Sequence, residues 1–163
     1  MEATFSLQKL IHDIRVSQTK INHWKDFETL IHRLAKVQDT RCRRNTETSP
    51  DVILSNGYGL EAKIISKLTR DINLNSASPD PTVFYIIAHC PKNTMRDIAI
   101  VSGANFFSPE IEEIEKTNTS LRDLSNQYLR YRTRIMWQLK SPFLIWGRGH
   151  YVVDEFGKKT PLA

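Results

Sequence analysis

The sequence feature that most constrains the fold is a near-continuous apolar run, V-F-Y-I-I-A-H-C, at residues 83–90. A strand that is apolar on both faces must be covered on both faces, which is typical of a central strand in an α/β protein. A Pro-Lys-Asn turn follows, and a second apolar run at residues 98–102 predicts a neighbouring strand. We therefore expect an α/β (α+β) fold with a mixed central sheet of at least four strands, flanked by helices.

Three segments have the pattern of amphipathic helices. The first two have apolar stripes at helical spacing, formed by Phe5, Leu7, Leu10, Ile11 and Ile14 and by Trp24, Phe27, Leu30, Ile31 and Leu34. Asn22 is the expected N-cap of the second helix, and Ser108 with Pro109 is the expected start of the third. The third helix is expected to end in a polar loop at residues 117–120.

Length and charge limit the classes of protein that this chain can represent. Its 163 residues suit one domain, 1–163, with one core. The net charge of +5 favours a polyanionic partner. Two cysteines are too few for a disulfide framework, and no apolar run reaches the length of a membrane span. These features predict a cytoplasmic protein with no membrane partner.

The segment at residues 49–65 has the pattern of a hairpin that brings polar groups together. Ser-Asn-Gly turn chemistry separates a short apolar run from a second extended run. Glu61 and Lys63 are two residues apart, so they share one face of the second strand, while Leu60, Ala62 and Ile64 form its apolar face. The hairpin returns Asp51 to the same edge, which predicts two carboxylates and one ammonium at one place.

Such a cluster has a specific chemistry. Two carboxylates suit Mg²⁺, whose other positions are filled by water and substrate phosphate. The ion polarises a phosphoryl oxygen and acidifies a water, and a lysine beside it orients that water. The alternative is a solvated hairpin edge whose polar residues have no chemical role.

The motif P-D-V-I-L…G-L-E-A-K resembles the active-site motif of the PD-(D/E)xK nucleases, particularly of type II restriction endonucleases. The resemblance implies a restriction-endonuclease-like fold, with Asp51 and Glu61 as ligands of Mg²⁺ and Lys63 as the catalytic lysine. Some of these nucleases take another acid from the helix before the motif. Glu28 could be that acid here, but a solvated helix flank is the favoured interpretation of this residue.

Other segments carry candidate DNA contacts. The segment at residues 41–45 is interpreted as a basic loop in which Arg43 and Arg44 contact phosphate or are simply solvated. Residues 73–78 have the composition of a turn. Their sequence L-N-S-x-x-P also resembles a segment of several restriction enzymes, which implies DNA contacts for the polar residues Asn73, Asn75 and Ser76.

The segment at residues 128–146 places alternating arginines on one face of a predicted strand, namely Arg130, Arg132 and Arg134. Arginine reads guanine in the major groove with two hydrogen bonds, although a solvated basic face is the alternative. The pattern L-R-x-R-x-x-x-M-W, followed by Pro-Phe, resembles the C-terminal part of restriction enzymes that cut GC-rich palindromes.

The sequence therefore predicts a type II restriction endonuclease that hydrolyses double-stranded DNA at a GC-containing palindrome with Mg²⁺. A homodimer is expected because each subunit would cut one strand and read one half-site. Two alternatives remain open. One is a repair or junction-resolving nuclease with the same site, and the other is a non-catalytic DNA-binding protein.

Overall fold

The computed structural model describes residues 4–17, 20–45, 49–67, 71–75, 77–128, 137–140 and 150–162. Within these ranges the chain forms three helices: α1 (Leu7–Ser17), α2 (Trp24–Gln38) and α3 (Pro109–Tyr128). The same ranges contain nine strands: β1 (Arg43–Arg44), β2 (Val52–Ile53), β3 (Gly59–Ile65), β4 (Asp71–Asn75), β5 (Val83–His89), β6 (Asp97–Ser102), β7 (Trp137–Lys140), β8 (His150–Val153) and β9 (Lys159–Leu162).

Seven of these strands form a mixed sheet in the order β1-β2-β3-β5-β6-β8-β9, and β4 pairs with β7 in a separate two-stranded sheet. The pairs β3–β5 and β6–β8 are parallel, and the other neighbours are antiparallel. The predicted α/β fold with a mixed central sheet is confirmed. The β3–β5 pair is parallel, so it needs a crossover connection, and β4 lies within that connection.

The core explains why β5 is apolar throughout, since all seven of its residues are buried. Phe84, Ile86 and Ala88 pack with α1 and α2 in one apolar cluster. The alternate residues Val83, Tyr85 and Ile87 pack in a second cluster with β4, β6 and β8. One face of the sheet is thus covered by helices and the other by the two-stranded sheet, so both faces of β5 are buried.

Two helix boundaries differ from the predicted ones. The N-cap of α2 is His23 rather than Asn22, because the His23 ring accepts a hydrogen bond from Lys25 N at 3.2 Å and Asp26 accepts one from His23 N at 3.0 Å. The predicted end of α3 at residues 117–120 is wrong, since the helix continues to Tyr128. Thr117 and Ser120 donate their hydroxyls to carbonyls one turn earlier, so they remain compatible with the helix.

Two predicted loops contain strands. Arg43 and Arg44 form β1, which pairs with β2. The interpretation of residues 73–78 as a turn is wrong for its first part, because β4 extends to Asn75 and pairs with β7. Ile72 and Leu74 alternate into the second apolar cluster, which accounts for the extended conformation. No helix of the described ranges is long and apolar enough to cross a membrane.

Candidate active site

The hairpin of β2 and β3 is the predicted one, and its register brings the acidic residues together. Val52 pairs with Leu60 and Ile53 with Gly59. One step further along this antiparallel register, Asp51 lies opposite Glu61. The turn between the strands contains Gly57 with a φ of +90°, a conformation that side chains other than glycine's rarely adopt.

A close contact between Pro50 and Gly59 fixes the start of the motif against β3. The Ser49–Pro50 peptide is cis. A Cβ atom added to Gly59 would lie 2.8 Å from Pro50 Cβ and 3.2 Å from Val83 Cγ2, and would meet Pro50 Cγ more closely still. Only glycine leaves room for Pro50 here, so this residue is part of the framework that holds Asp51 in place.

Asp51, Glu61 and Lys63 lie close enough for their charges to interact, and hydrogen bonds or an ion pair hold each side chain. Asp51 Oδ2 accepts a hydrogen bond from Ala62 N at 2.8 Å. Lys63 Nζ lies 2.8 Å from Glu61 Oε1, and Ser49 Oγ donates to Glu61 Oε2 at 2.9 Å. The Glu61 side chain is only 9% exposed and that of Lys63 is 17% exposed, so the cluster is not the solvated hairpin edge of the alternative interpretation.

Glu28 joins this cluster from α2. Its side chain is 20% exposed, and its Oε2 atom lies 4.0 Å from Arg44 Nη2. It is also hydrogen-bonded to the side chain of Asp51. Glu28 therefore does not lie on a solvated helix flank, although a catalytic role for it stays a prediction.

Neighbouring negative charge and burial oppose the ionisation of Asp51 and Glu28. The pKa of Asp51 is raised to about 7, first by burial and then by the negative charges of Glu61 and Glu28, while the hydrogen bond from Ala62 N and the charge of Lys63 lower it. Burial and then Glu61 raise the pKa of Glu28, while Arg44 lowers it. Near neutral pH, Asp51 therefore retains a proton for much of the time, and Glu28 accepts a hydrogen bond from it. A cation at this place would remove the need for that proton.

The donor set of the cluster fits a small, hard cation. Although Glu28 joins the cluster, no three side chains of His, Cys, Asp or Glu within the described ranges are arranged so that they could hold a metal ion together. Mg²⁺ is usually held by one or two carboxylates with water and substrate phosphate in its other positions, so it does not require three such side chains. Asp51 and Glu61 supply that number of carboxylates.

The remaining predicted residues are placed less completely. Arg43 and Arg44 are exposed on β1, and Arg44 is the one that reaches the cluster. Asn73 is exposed on β4, in the other sheet. The backbone of Asn75 belongs to β4. Four predicted residues lie outside the described part of the chain: Ser76, Arg130, Arg132 and Arg134.

Sequence reasoning missed two residues of the site. Ser49 orients Glu61, and the signal was a hydroxyl residue immediately before Pro-Asp. Gly59 accommodates Pro50, and the signal was a second glycine two residues after the turn glycine, at the first position of a strand.

Comparison of the chain with models of protein families, with curated proteins and with solved structures gave no significant match. A functional assignment must therefore come from the residues of the cluster and their geometry.

Proposed function

We propose that the protein is a Mg²⁺-dependent endonuclease of double-stranded DNA, of the type that its resemblance to type II restriction endonucleases implies. One observation carries the proposal. Asp51 and Glu61 lie opposite each other in the β2–β3 hairpin, Lys63 Nζ forms an ion pair with Glu61, and the pKa of Asp51 is raised to about 7. Carboxylates with strongly raised pKa values are concentrated at functional sites, because at other positions they would lower stability without any gain in function.

We propose a separate role for each residue of the cluster. Asp51 and Glu61 are the proposed ligands of Mg²⁺. When bound, the ion would neutralise charge on the scissile phosphate and lower the pKa of a water. Lys63 orients the attacking water and balances charge that develops on the phosphate. Ser49 holds Glu61 in one orientation, because it donates to the oxygen that Lys63 leaves available.

Charge outside the cluster supports a nucleic-acid substrate. The chain has a net charge of +5, and basic proteins attract the phosphate backbone through release of its counterions. Arg43 and Arg44 lie on the edge strand next to the cluster, where they are the proposed phosphate contacts. Arg130, Arg132 and Arg134 are the proposed base contacts, with Asn73, Asn75 and Ser76 as further candidates.

The resemblance also suggests the form of the substrate and of the assembly. We propose a GC-containing palindrome as the target and a homodimer as the acting species. A twofold symmetric target presents the same half-site to each subunit, so two identical sites would cut the two strands.

Incubation of the pure protein with supercoiled plasmid in MgCl₂ or EDTA tests the proposal. Discrete linear fragments in MgCl₂ alone are expected, whereas nicks only at junctions or lesions would indicate a repair nuclease. Intact plasmid in MgCl₂ would contradict a nuclease and leave a DNA-binding protein.

Two glutamine variants make this assay specific for the cluster. Glu61→Gln keeps the size of the side chain but removes its charge, and we expect it to abolish cleavage. The matched control is Glu113→Gln on α3, whose side chain is 76% exposed; it should cut like the wild type. Equal activity of both variants would exclude Glu61 from the site.

A further inference from the structure

A cavity of about 420 Å³ lies between the end of α1, residues 93–96 and the start of β8. Its apolar floor contains Ile14 and Ile98, which are both fully buried. The volume is within the range of pockets that hold small ligands. The residues of the carboxylate cluster do not line this cavity, so it requires a separate explanation.

Two backbone hydrogen bonds connect the segments that form the walls of the cavity. Ile21 N donates to Asn93 O at 3.3 Å, which joins the segment after α1 to the loop before β6. Arg96 N donates to His89 O at 2.8 Å, which anchors the other end of that loop. Asn93 and its preceding residue both have positive φ values, which are uncommon outside glycine. The loop is therefore fixed in a defined conformation on both sides of the cavity.

The charges that line the cavity have one sign. Arg15, Lys20 and Arg96 contribute three cationic side chains, and none of its described lining residues is acidic. Asp97, next in the chain, does not line the cavity; its carboxylate is 3.7 Å from His89 Nδ1 on the neighbouring strand and also acts electrostatically on His150. Like charges around one concave surface raise its positive potential, and an anion relieves their repulsion.

His150 adds a neutral hydrogen-bond donor to these cations. Its Nδ1 atom accepts a hydrogen bond from Ile98 N at 3.0 Å, so the neutral ring must carry its proton on Nε2. Burial and then Arg15 lower the pKa of His150, and Asp97 opposes them without reversing the shift, so the ring is neutral at physiological pH. The ring is thus fixed as an Nε2–H donor, and Thr94 adds a hydroxyl to the same lining.

We propose that this cavity is a binding site for a phosphate group, separate from the carboxylate cluster. Guanidinium groups pair with phosphate through two parallel hydrogen bonds, and an ammonium and an imidazole N–H complete a set suited to a dianion. The group belongs either to a small phosphorylated ligand or to the backbone of a nucleic acid.

The position in the sheet shows why the two sites do not share one phosphate. Residue 98 packs with the helices on one face of the sheet, whereas Glu61 and Lys63 alternate with the residues of β3 that pack on that face. His150 is on β8, three strands from β3 in the sheet order, or roughly 14 Å at the usual strand spacing. A phosphate in the cavity therefore leaves the carboxylate cluster open.

Binding of inorganic phosphate and of AMP, measured by calorimetry and by amide NMR shifts of residues 93–98 in EDTA, tests the proposal. EDTA removes metal from the carboxylate cluster, so the result is independent of nuclease activity. We expect binding that weakens about a hundredfold or more in Arg15→Gln/Arg96→Gln, since the double variant loses two charge-assisted contacts to the phosphate. Both arginines are exposed, and thermal unfolding verifies that the variant folds.

Lys9→Gln is the matched control, because Lys9 is an exposed cation on α1 that does not line the cavity. Its binding should equal that of the wild type. Displacement of phosphate by a short DNA duplex would identify the backbone as the source, and failure of the duplex to compete would identify a small phosphorylated ligand. The proposal is overturned if neither phosphate nor duplex shifts the amides of residues 93–98. Undiminished affinity in the double variant, or equal loss in Lys9→Gln, also overturns it.

Discussion

At the scale of single residues, the raised pKa of Asp51 implies that the stability of the protein depends on pH. In the unfolded chain this carboxyl titrates near 3.8, and in the folded chain at about 7. Below pH 3.8 both states hold the proton. As the pH rises from 3.8 to 7, the unfolded state releases the proton first, so the free energy of unfolding falls. Above pH 7 both states are ionised, and the free energy of unfolding falls no further through this group.

Asp51→Asn should remove this pH dependence, because an amide does not ionise and its oxygen can still accept from Ala62 N. We expect the variant to unfold several degrees above the wild type at pH 8 and at nearly the same temperature at pH 4. Thermal unfolding followed by circular dichroism measures both differences. Asp123→Asn on α3 is the control, and a wild-type advantage at pH 8 would contradict the crowded cluster.

Ser49 supports a second prediction at this scale. Its hydroxyl donates to Glu61 Oε2 at 2.9 Å, and a hydrogen bond to a charged group is worth about 1.5–3 kcal/mol. Ser49→Ala should therefore reduce the rate of cleavage by about tenfold or more through loss of orientation of Glu61. DNA affinity in Ca²⁺ should be unchanged, and Ser49→Thr should restore part of the rate. Wild-type turnover of Ser49→Ala would show that Glu61 is oriented without it.

At the scale of elements, two glycines of the β2–β3 hairpin have different roles that substitution can separate. Gly59→Ala would place a methyl group against Pro50 and Val83, so Pro50 and Asp51 must move away from β3. Gly57→Ala has open space but an unfavourable φ of +90°, which costs about 1–2 kcal/mol.

Both variants should unfold at lower temperature, but only Gly59→Ala should also lose cleavage. Plasmid cleavage measured well below the unfolding temperature of each variant separates the two effects. Full activity in Gly59→Ala would mean that the position of Pro50 on β3 is not needed for the site.

The elements that sequence predicted are those whose signals are local. Turn chemistry and alternation define β2 and β3, a near-continuous apolar run defines β5, and helical periodicity defines α1 and α2. By contrast, β1 and β4 adopt strand conformation because they pair with other strands. The partner of β1 is β2, within the motif, and the partner of β4 is β7, more than sixty positions later in the chain. The contact of Glu28 with Asp51 depends on how α2 packs against the sheet. This packing cannot be predicted from the local sequence of α2 or of the hairpin alone.

At the scale of the whole molecule, the sheet separates the carboxylate cluster from the basic cavity. The cluster is built on β2 and β3 near one end of the seven-stranded sheet, and the cavity lies beside β6 and β8 near the other. DNA bound at the proposed cleavage site is not required to contact the cavity. Sequence selection must then come from other residues, for which the arginines of the C-terminal segment are the proposed source.

Those arginines carry a prediction that distinguishes base contacts from phosphate contacts. Alanine at Arg130, Arg132 or Arg134 should cost about 1–3 kcal/mol and relax specificity at one base pair where a guanine contact is lost. Loss of a phosphate contact should weaken all sequences alike and reduce the salt dependence. Affinities for cognate and singly altered duplexes at two salt concentrations measure both effects. An unchanged cognate preference in all three variants would assign sequence readout to other residues.

The most direct test of the central claim, that the Asp51–Glu61–Lys63 cluster cleaves DNA with Mg²⁺, is a titration of the plasmid cleavage rate with Mg²⁺ at pH 6 and pH 8. A proton on Asp51 competes with the ion, and its pKa of about 7 makes the competition strong at pH 6 and weak at pH 8. The Mg²⁺ concentration for half-maximal rate should therefore be about tenfold lower at pH 8, in proportion to the ionised fraction of Asp51. Cleavage that persists in EDTA, or absent cleavage at every Mg²⁺ concentration, would contradict the claim.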